Sequence, residues 1–146
     1  MQITREDGYQ LDDDHARLDV DRIHRWLAEE SYWALGRPRE KVAASLANSL
    51  VVGAYAPDGG QVGISRVVTD LATFAWLADV FVATDHRGRG LGRAMVAAHL
   101  DRLRPLGVRR VLLATTDAHG VYAGLGFAPQ PEPHKLMELR LDGGTP

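Results

Sequence analysis

The stretch from Asp79 to Leu100 confines the fold more than any other part of the chain. An apolar strand, Val80 to Ala83, runs into a short polar turn, which opens into Gly88, Gly90 and Gly92 at the head of an amphipathic helix. Backbone N–H groups at a helix N-terminus have no intrahelical partners, and glycines let an anion approach them, so this is an anion cradle in prospect. The helix carries Leu91, Ala94, Met95, Ala98 and Leu103 at helical spacing and should end near Pro105-Leu-Gly107. A strand from Arg109 to Thr115 follows, with Val111, Leu112 and Leu113 suggesting burial. A helix between two strands is a crossover, so the strand entering the turn and the strand after the helix should be parallel neighbours.

The rest of the chain arranges itself around this unit. The stretch up to Leu18, with Tyr9 and Leu11, reads as an edge strand. Asp19 is placed to cap a helix from Val20 to Glu30, whose Val20, Ile23, Trp26 and Leu27 share one face. A connector, Ser31 to Arg37, carries Tyr32 and Trp33. Pro38 suits the first position of a second helix with Val42 and Leu46, ending near Asn48. Leu50 to Ala56, Gln61 to Thr69 and Phe74 to Ala83 read as an antiparallel meander, with Pro57-Asp58-Gly59-Gly60 as its first turn. After the crossover come a short helix around Asp117 to Leu125, a proline-rich loop, a final strand over Lys135 to Leu141 and a frayed tail from Asp142 to Pro146. The order predicts an α+β (mixed α/β) fold. Its central sheet is mixed but mostly antiparallel and contains one parallel pair, flanked by about four helices. With 146 residues and no polar linker, one domain over 1–146 is expected.

Composition narrows the function. Cysteine is absent, which excludes disulfides, thiolate zinc sites and a cysteine nucleophile. A formal charge of −2 gives no electrostatic case for nucleic-acid binding. No apolar run approaches the roughly 20 residues of a membrane span. The N-terminus has no hydrophobic signal core, so a soluble, cytoplasmic protein is expected. The histidines have no metal-ligand spacing, and no metal is expected.

Two familiar phosphate-binding patterns fail on spacing. A Walker loop needs Lys and then Ser or Thr after its last glycine, and Gly92 is followed by Arg93-Ala94; a dinucleotide fingerprint needs glycine three after Gly90, where Arg93 stands. What stands is Arg87-Gly-Arg-Gly-Leu-Gly92, with Ala118-His-Gly-Val-Tyr122-Ala-Gly-Leu-Gly126-Phe127 beyond the next strand. The first run resembles the R/Q-x-x-G-x-G/A motif of the GNAT superfamily of acyl-CoA-dependent N-acetyltransferases. The second resembles that family's A-x-x-L-Y-x-x-x-G-F signature, and the resemblance covers about residues 50 to 140.

The resemblance implies transfer of an acetyl group from acetyl-CoA to a primary amine of a small molecule, by direct attack in a ternary complex. Backbone groups of Arg87, Gly88, Arg89, Gly90, Leu91 and Gly92 would hold the pyrophosphate of acetyl-CoA. Val80 and Val82, on a strand that in this family splays from its parallel neighbour, would serve the pantetheine arm and the thioester carbonyl. Thr115 stands where the family often has Asn for a pantetheine contact. Tyr122 would be the general acid for the departing thiolate. Asp79 is the candidate general base, because the family often carries a carboxylate on this strand; by alternation it shares a face with Phe81, opposite Val80 and Val82. Equally open is a structural pairing of Asp79 with Arg66. Tyr32, Trp33, Arg66, Asp70, Phe74, Trp76 and His119 are candidate walls of the acceptor pocket. A homodimer through an exposed sheet edge is compatible with the pattern. The rival readings are a non-catalytic acyl-CoA-binding sensor module and acetylation of a protein or peptide amine.

Overall fold

The computed structural model describes residues 1–144. Thr145 and Pro146, the end of the expected frayed tail, lie outside the described residues. Two compact units divide the chain, one ending at Thr116 and the other beginning at Asp117.

The first unit is built on a six-stranded sheet in sequential order: β1 (Gln2–Thr4), β2 (Gln10–Asp12), β3 (Leu50–Tyr55), β4 (Gln61–Thr69), β5 (Phe74–Val82) and β6 (Arg110–Leu112). Neighbours are antiparallel except β5 and β6, which are parallel. Their crossover is helix α3 (Leu91–Leu103), as the strand-turn-helix reading requires. Before the meander come α1 (Val20–Arg25), which continues through a single wider turn to Glu30, and α2 (Arg39–Ala47). Asp19 caps α1, accepting a hydrogen bond from the Arg22 N–H at 3.0 Å. Pro38 is the extended cap of α2 rather than its first helical residue.

Two apolar layers sandwich the sheet. On one face Leu91, Met95 and Ala98 of α3 pack over Val52, Ala54, Val62, Tyr9 and Leu11. Gly63 is needed for that closeness, since a Cβ there would come within 3.1 Å of Met95 Cε and 3.2 Å of the Phe81 carbonyl. Across the sheet, Ile23, Trp26, Leu27, Val42 and Leu46 cover Val51, Ile64 and Phe81, with the Trp26 and Phe81 rings stacked at 5.6 Å.

Three expectations are corrected. The N-terminal stretch is a hairpin of two short strands, not one edge strand, because Gly8 turns it at φ 85. The strand expected over Arg109 to Thr115 is only three residues long and half-buried at Val111 and Leu112, since its ladder with β5 stops there. In the second unit, Lys135 to Leu141 is not a strand among the described residues. Its Met137, Leu139 and Leu141 alternate, but alternation makes a strand only where a neighbour takes up the backbone bonds and one face. All three are exposed.

Beneath the sheet lies a buried polar pair. His99 of α3 is 1% exposed, and its Nε2 lies 2.9 Å from Ser65 Oγ, which donates onward to the Val52 carbonyl at 3.1 Å. The chain of bonds fits an imidazole that carries its proton on Nε2. Burial pushes the His99 pKa from 6.5 down to about 4, so the fold favours the neutral ring. Stability is therefore whole above pH 6.5 and drains away as pH falls toward 4, by roughly 3 kcal/mol for a shift of this size. Urea titrations from pH 7 to pH 4 should show this loss in the wild type and most of it absent in His99→Gln.

Candidate functional site

The site begins where β5 loses its parallel partner. Pairing with β6 covers Phe74–Trp76 against Arg110–Leu112, and beyond Trp76 the strand continues to Val82 paired, among the described residues, with β4 alone. In the same span β5 is bulged. Ile64 pairs with Phe81 and Arg66 with Ala78, so Asp79 and Val80 together face the single residue Ser65. Asp79 adopts φ 51, a left-handed conformation that a residue with a Cβ holds only under constraint. Beyond the bulge, the Ala83 N–H bonds the Val62 carbonyl at 2.8 Å, which fixes the phase of the strand. By alternation the backbone groups of Val80 and Val82 turn away from β4, toward the open edge.

The glycine turn closes this edge at one end. Gly88 and Gly90 both take positive φ, 80 and 73, and Gly90 caps α3 in the left-handed region. Leu91, buried among the α3 core, anchors the helix start, and the N–H groups of the first turn point out of its end. The arginine side chains are engaged with the protein. Arg87 Nε donates to the Val82 carbonyl at 2.8 Å with its guanidinium 5.2 Å from the centre of the Phe81 ring, and Arg89 lies 5.3 Å from the centre of the Tyr9 ring. The β1–β2 hairpin braces the turn: Arg5 Nη2 donates to the Arg89 carbonyl at 2.7 Å, and the Tyr9 hydroxyl meets His86 Nδ1 at 2.8 Å. Sequence reasoning missed Arg5, Tyr9 and His86 as parts of the cradle. The partners lie 84 and 77 residues apart, and no short-range pattern links them.

Asp79 is the hub of a second network. Its carboxylate is 2% exposed; Oδ1 accepts from Trp33 Nε1 at 2.8 Å, and Oδ2 accepts from Arg37 Nη1 at 2.9 Å and from Arg66 Nε. Arg66 also donates to Ser49 Oγ at 3.3 Å. Burial by itself would raise the Asp79 pKa. The hydrogen bond and charge of Arg66, the charge of Arg37 and the bond from Trp33 together outweigh it and hold the carboxyl below its usual range. Of the two readings of this residue, the geometry matches the pairing with Arg66. A carboxylate that accepts three donors and has lowered basicity is a poor proton acceptor. Arg37 and Ser49 were not singled out in the sequence, because an arginine at the end of a connector carries no sign of where its fork will land.

The connector itself is well tied. Ser31 Oγ donates to the Leu27 carbonyl at 2.7 Å and accepts from the Ala34 N–H at 3.1 Å. Tyr32 and Trp33 pack edge to face at 5.0 Å, and the Tyr32 hydroxyl accepts from the Thr116 N–H at 3.0 Å. Phe74 and Trp76 lie on β5 with their rings partly exposed, and Trp76 pairs with the exposed Val68. Asp70 is occupied elsewhere. Its carboxylate closes the β4–β5 loop by accepting from Thr73 Oγ1 and from the N–H groups of Ala72, Thr73 and Phe74, which hold its pKa far below the usual range. It is therefore a loop-closing residue. Thr115 is half-buried beyond the end of β6.

The second unit contains α4 (His119–Ala123). His119 is exposed at its first position, and the half-buried Tyr122 packs its ring edge-on against Phe127 at 5.8 Å. Gly126, at φ 98, turns the chain after the helix, and Phe127 N–H bonds back to the Tyr122 carbonyl at 3.1 Å.

Residues 11–127 match the acetyltransferase (GNAT) family. A provisionally named acetyltransferase of Gibberella zeae is 32% identical over an alignment of length 133 that covers 78% of this chain and 75% of that protein. The chain spans about half the length of the curated plant relatives it matches. The crystal structure of a provisionally named GNAT acetyltransferase from Xanthomonas campestris pv. campestris is 42% identical and superposes with a TM-score of 0.86, covering 92% of this chain and 94% of that one. N-acetylglutamate synthase from Neisseria gonorrhoeae, solved with coenzyme A and N-acetylglutamate, shares the fold at 20% identity and a TM-score of 0.70, over 90% of this chain and 32% of that one.

Removal of Asp79 should test the hub. Asp79→Ala leaves Arg37 and Arg66 facing each other across a buried space, and breaking a buried pair from one side costs about 3–5 kcal/mol. A loss of that size in urea denaturation at pH 7 is expected; a loss below about 1 kcal/mol would mean that water already screens the cluster.

Proposed function

The chain belongs to the acetyltransferase (GNAT) family, and from that premise we propose that it transfers an acetyl group from acetyl-CoA to a primary amine of a small molecule. The observation that carries this reading is the open edge of β5, ending in a left-handed glycine turn at the N-terminus of α3. An extended thioester with a diphosphate at one end matches that combination in both hydrogen bonding and charge. The N–H groups from Arg87 to Gly92 take the pyrophosphate oxygens, with the helix dipole adding to the attraction. Their arginine side chains serve the shape of the turn, since Arg87 and Arg89 are held against Phe81 and Tyr9. Val80 and Val82 present backbone groups to the pantetheine arm and the thioester carbonyl, and Thr115 adds a contact from the β6 side.

Transfer proceeds by direct attack, since the chain has no cysteine to carry an acyl group. The neutral amine nitrogen bonds to the thioester carbon, and the carbonyl oxygen gains negative charge that strand N–H groups stabilise. The C–S bond then breaks, and the leaving sulfur takes a proton from the Tyr122 hydroxyl. The attacking nitrogen sheds its surplus proton to water as the amide forms, and the Tyr122 phenolate regains a proton from water. Asp79 organises this side of the site without accepting the proton, because its oxygens are committed to Trp33, Arg37 and Arg66. Tyr32, Trp33, Phe74 and Trp76 supply aromatic surface to the acceptor, and Arg66 borders it.

Acetyl-CoA mixed with a broad panel of small amines should release free thiol in an amine-dependent way. Tight binding of acetyl-CoA without such release would replace this reading with a sensor role. Tyr122→Phe should lower kcat by about 100-fold or more while leaving the KM for acetyl-CoA within a few-fold, the pattern of a lost general acid. Unchanged turnover would move the acid to another group.

A further inference from the structure

Strands released from their ladder have no intrinsic separation, and something else must fix it. Here β5 and β6 part after the pair Trp76 and Leu112. Asp79 stands three residues beyond Trp76 on one side, and Thr116 four residues beyond Leu112 on the other. The connector reaches both points with adjacent residues. Trp33 Nε1 donates to Asp79 Oδ1 at 2.8 Å, the Tyr32 hydroxyl accepts from the Thr116 N–H at 3.0 Å, and the two rings brace each other edge to face at 5.0 Å.

We propose that Tyr32 and Trp33 form a strut across the mouth of the parted strands, setting its width and thereby the size of acyl group the site accepts. Aromatic rings suit such a spacer, having only two side-chain torsions each and little freedom to lose. Burial does not explain why these rings are held, for Tyr32 is 51% and Trp33 40% exposed. The inner foot of the strut is rigid because Asp79 is also gripped by Arg37 and Arg66. The outer foot includes the bond from the Thr116 backbone N–H. Tyr32 and Trp33 are positioning residues, acting through β5 and the chain beyond β6. The inference rests on the reading that the acyl-CoA arm lies between those two chains.

Tyr32→Phe and Trp33→Phe, singly and together, keep an aromatic ring at each position and remove the two bonds. Calorimetry with CoA, acetyl-CoA and isobutyryl-CoA separates width from overall binding. In the double variant the affinity for CoA should move by no more than about twofold, while the preference for acetyl-CoA over isobutyryl-CoA falls by about tenfold, the scale on which pockets discriminate single carbon groups. Tyr32→Phe alone should also speed hydrogen exchange at the Thr116 amide. A purely structural loss would weaken all three ligands alike and leave the preference intact. An unchanged preference in the folded double variant, or in Tyr32→Phe should the double variant not fold, overturns the strut. Failure of the wild type to bind CoA at all would overturn the cofactor reading and this inference with it.

Discussion

The buried carboxylate of Asp79 between two guanidinium groups is the interaction on which the candidate site depends. It sits at the bulge of β5, in a left-handed conformation that costs of order 1–3 kcal/mol and persists only because its surroundings hold it. Those surroundings are Arg66 from β4, Arg37 and Trp33 from the connector, and the sheet itself. Three elements that are distant in sequence thus meet at one carboxylate. Its charge stays ionised in a dry place because two cations oppose the desolvation cost. The bulge then re-aims the strand so that Val80 and Val82 turn backbone groups to the open edge, while Phe81 returns to the core beside Trp26.

The two faces of the sheet divide the labour. The α3 face buries the polar pair His99 and Ser65 beside its apolar cluster, and Ser65 is the residue that the bulge faces. The other face carries α1, α2 and the connector, and there Trp33, Arg37 and Arg66 converge on Asp79. The titrations of these two buried centres separate by pH. The unfolded chain protonates this histidine from pH 6.5 downward while the folded His99 stays neutral to about 4, whereas Asp79 holds its charge until pH falls below its ordinary value of 3.8. Mild acid therefore lowers stability through His99 first, by favouring the unfolded chain, and only stronger acid reaches Asp79 and the connector.

Much of this architecture was legible in the sequence. The Asp19 cap, the meander with its Pro57 turn, and the strand, glycine turn and helix after Phe74 all rest on local rules: hydrogen-bond capping, alternation and the φ demands of glycine. The final strand over Lys135 to Leu141 was misread for the same reason. Period-two alternation describes a strand that has a neighbour, and the sequence of the segment does not contain the neighbour. Asp79 was singled out as a carboxylate near the chemistry, but its role turned on partners 13, 42 and 46 residues away.

What the sequence by itself determined was the family and the strand-turn-helix unit, since glycine spacing and apolar periodicity act over a few residues and are written in order along the chain. What only the tertiary structure decided was the use made of polar side chains. Asp79 came to be held by Trp33, Arg37 and Arg66, Asp70 closed a loop, Arg5 and Tyr9 came to brace the glycine turn, and Tyr32 and Trp33 reached opposite sides of the parted strands. The physical reason is that a side chain's acidity and availability depend on which groups share its dry space, and that company is set by how the sheet folds distant segments together.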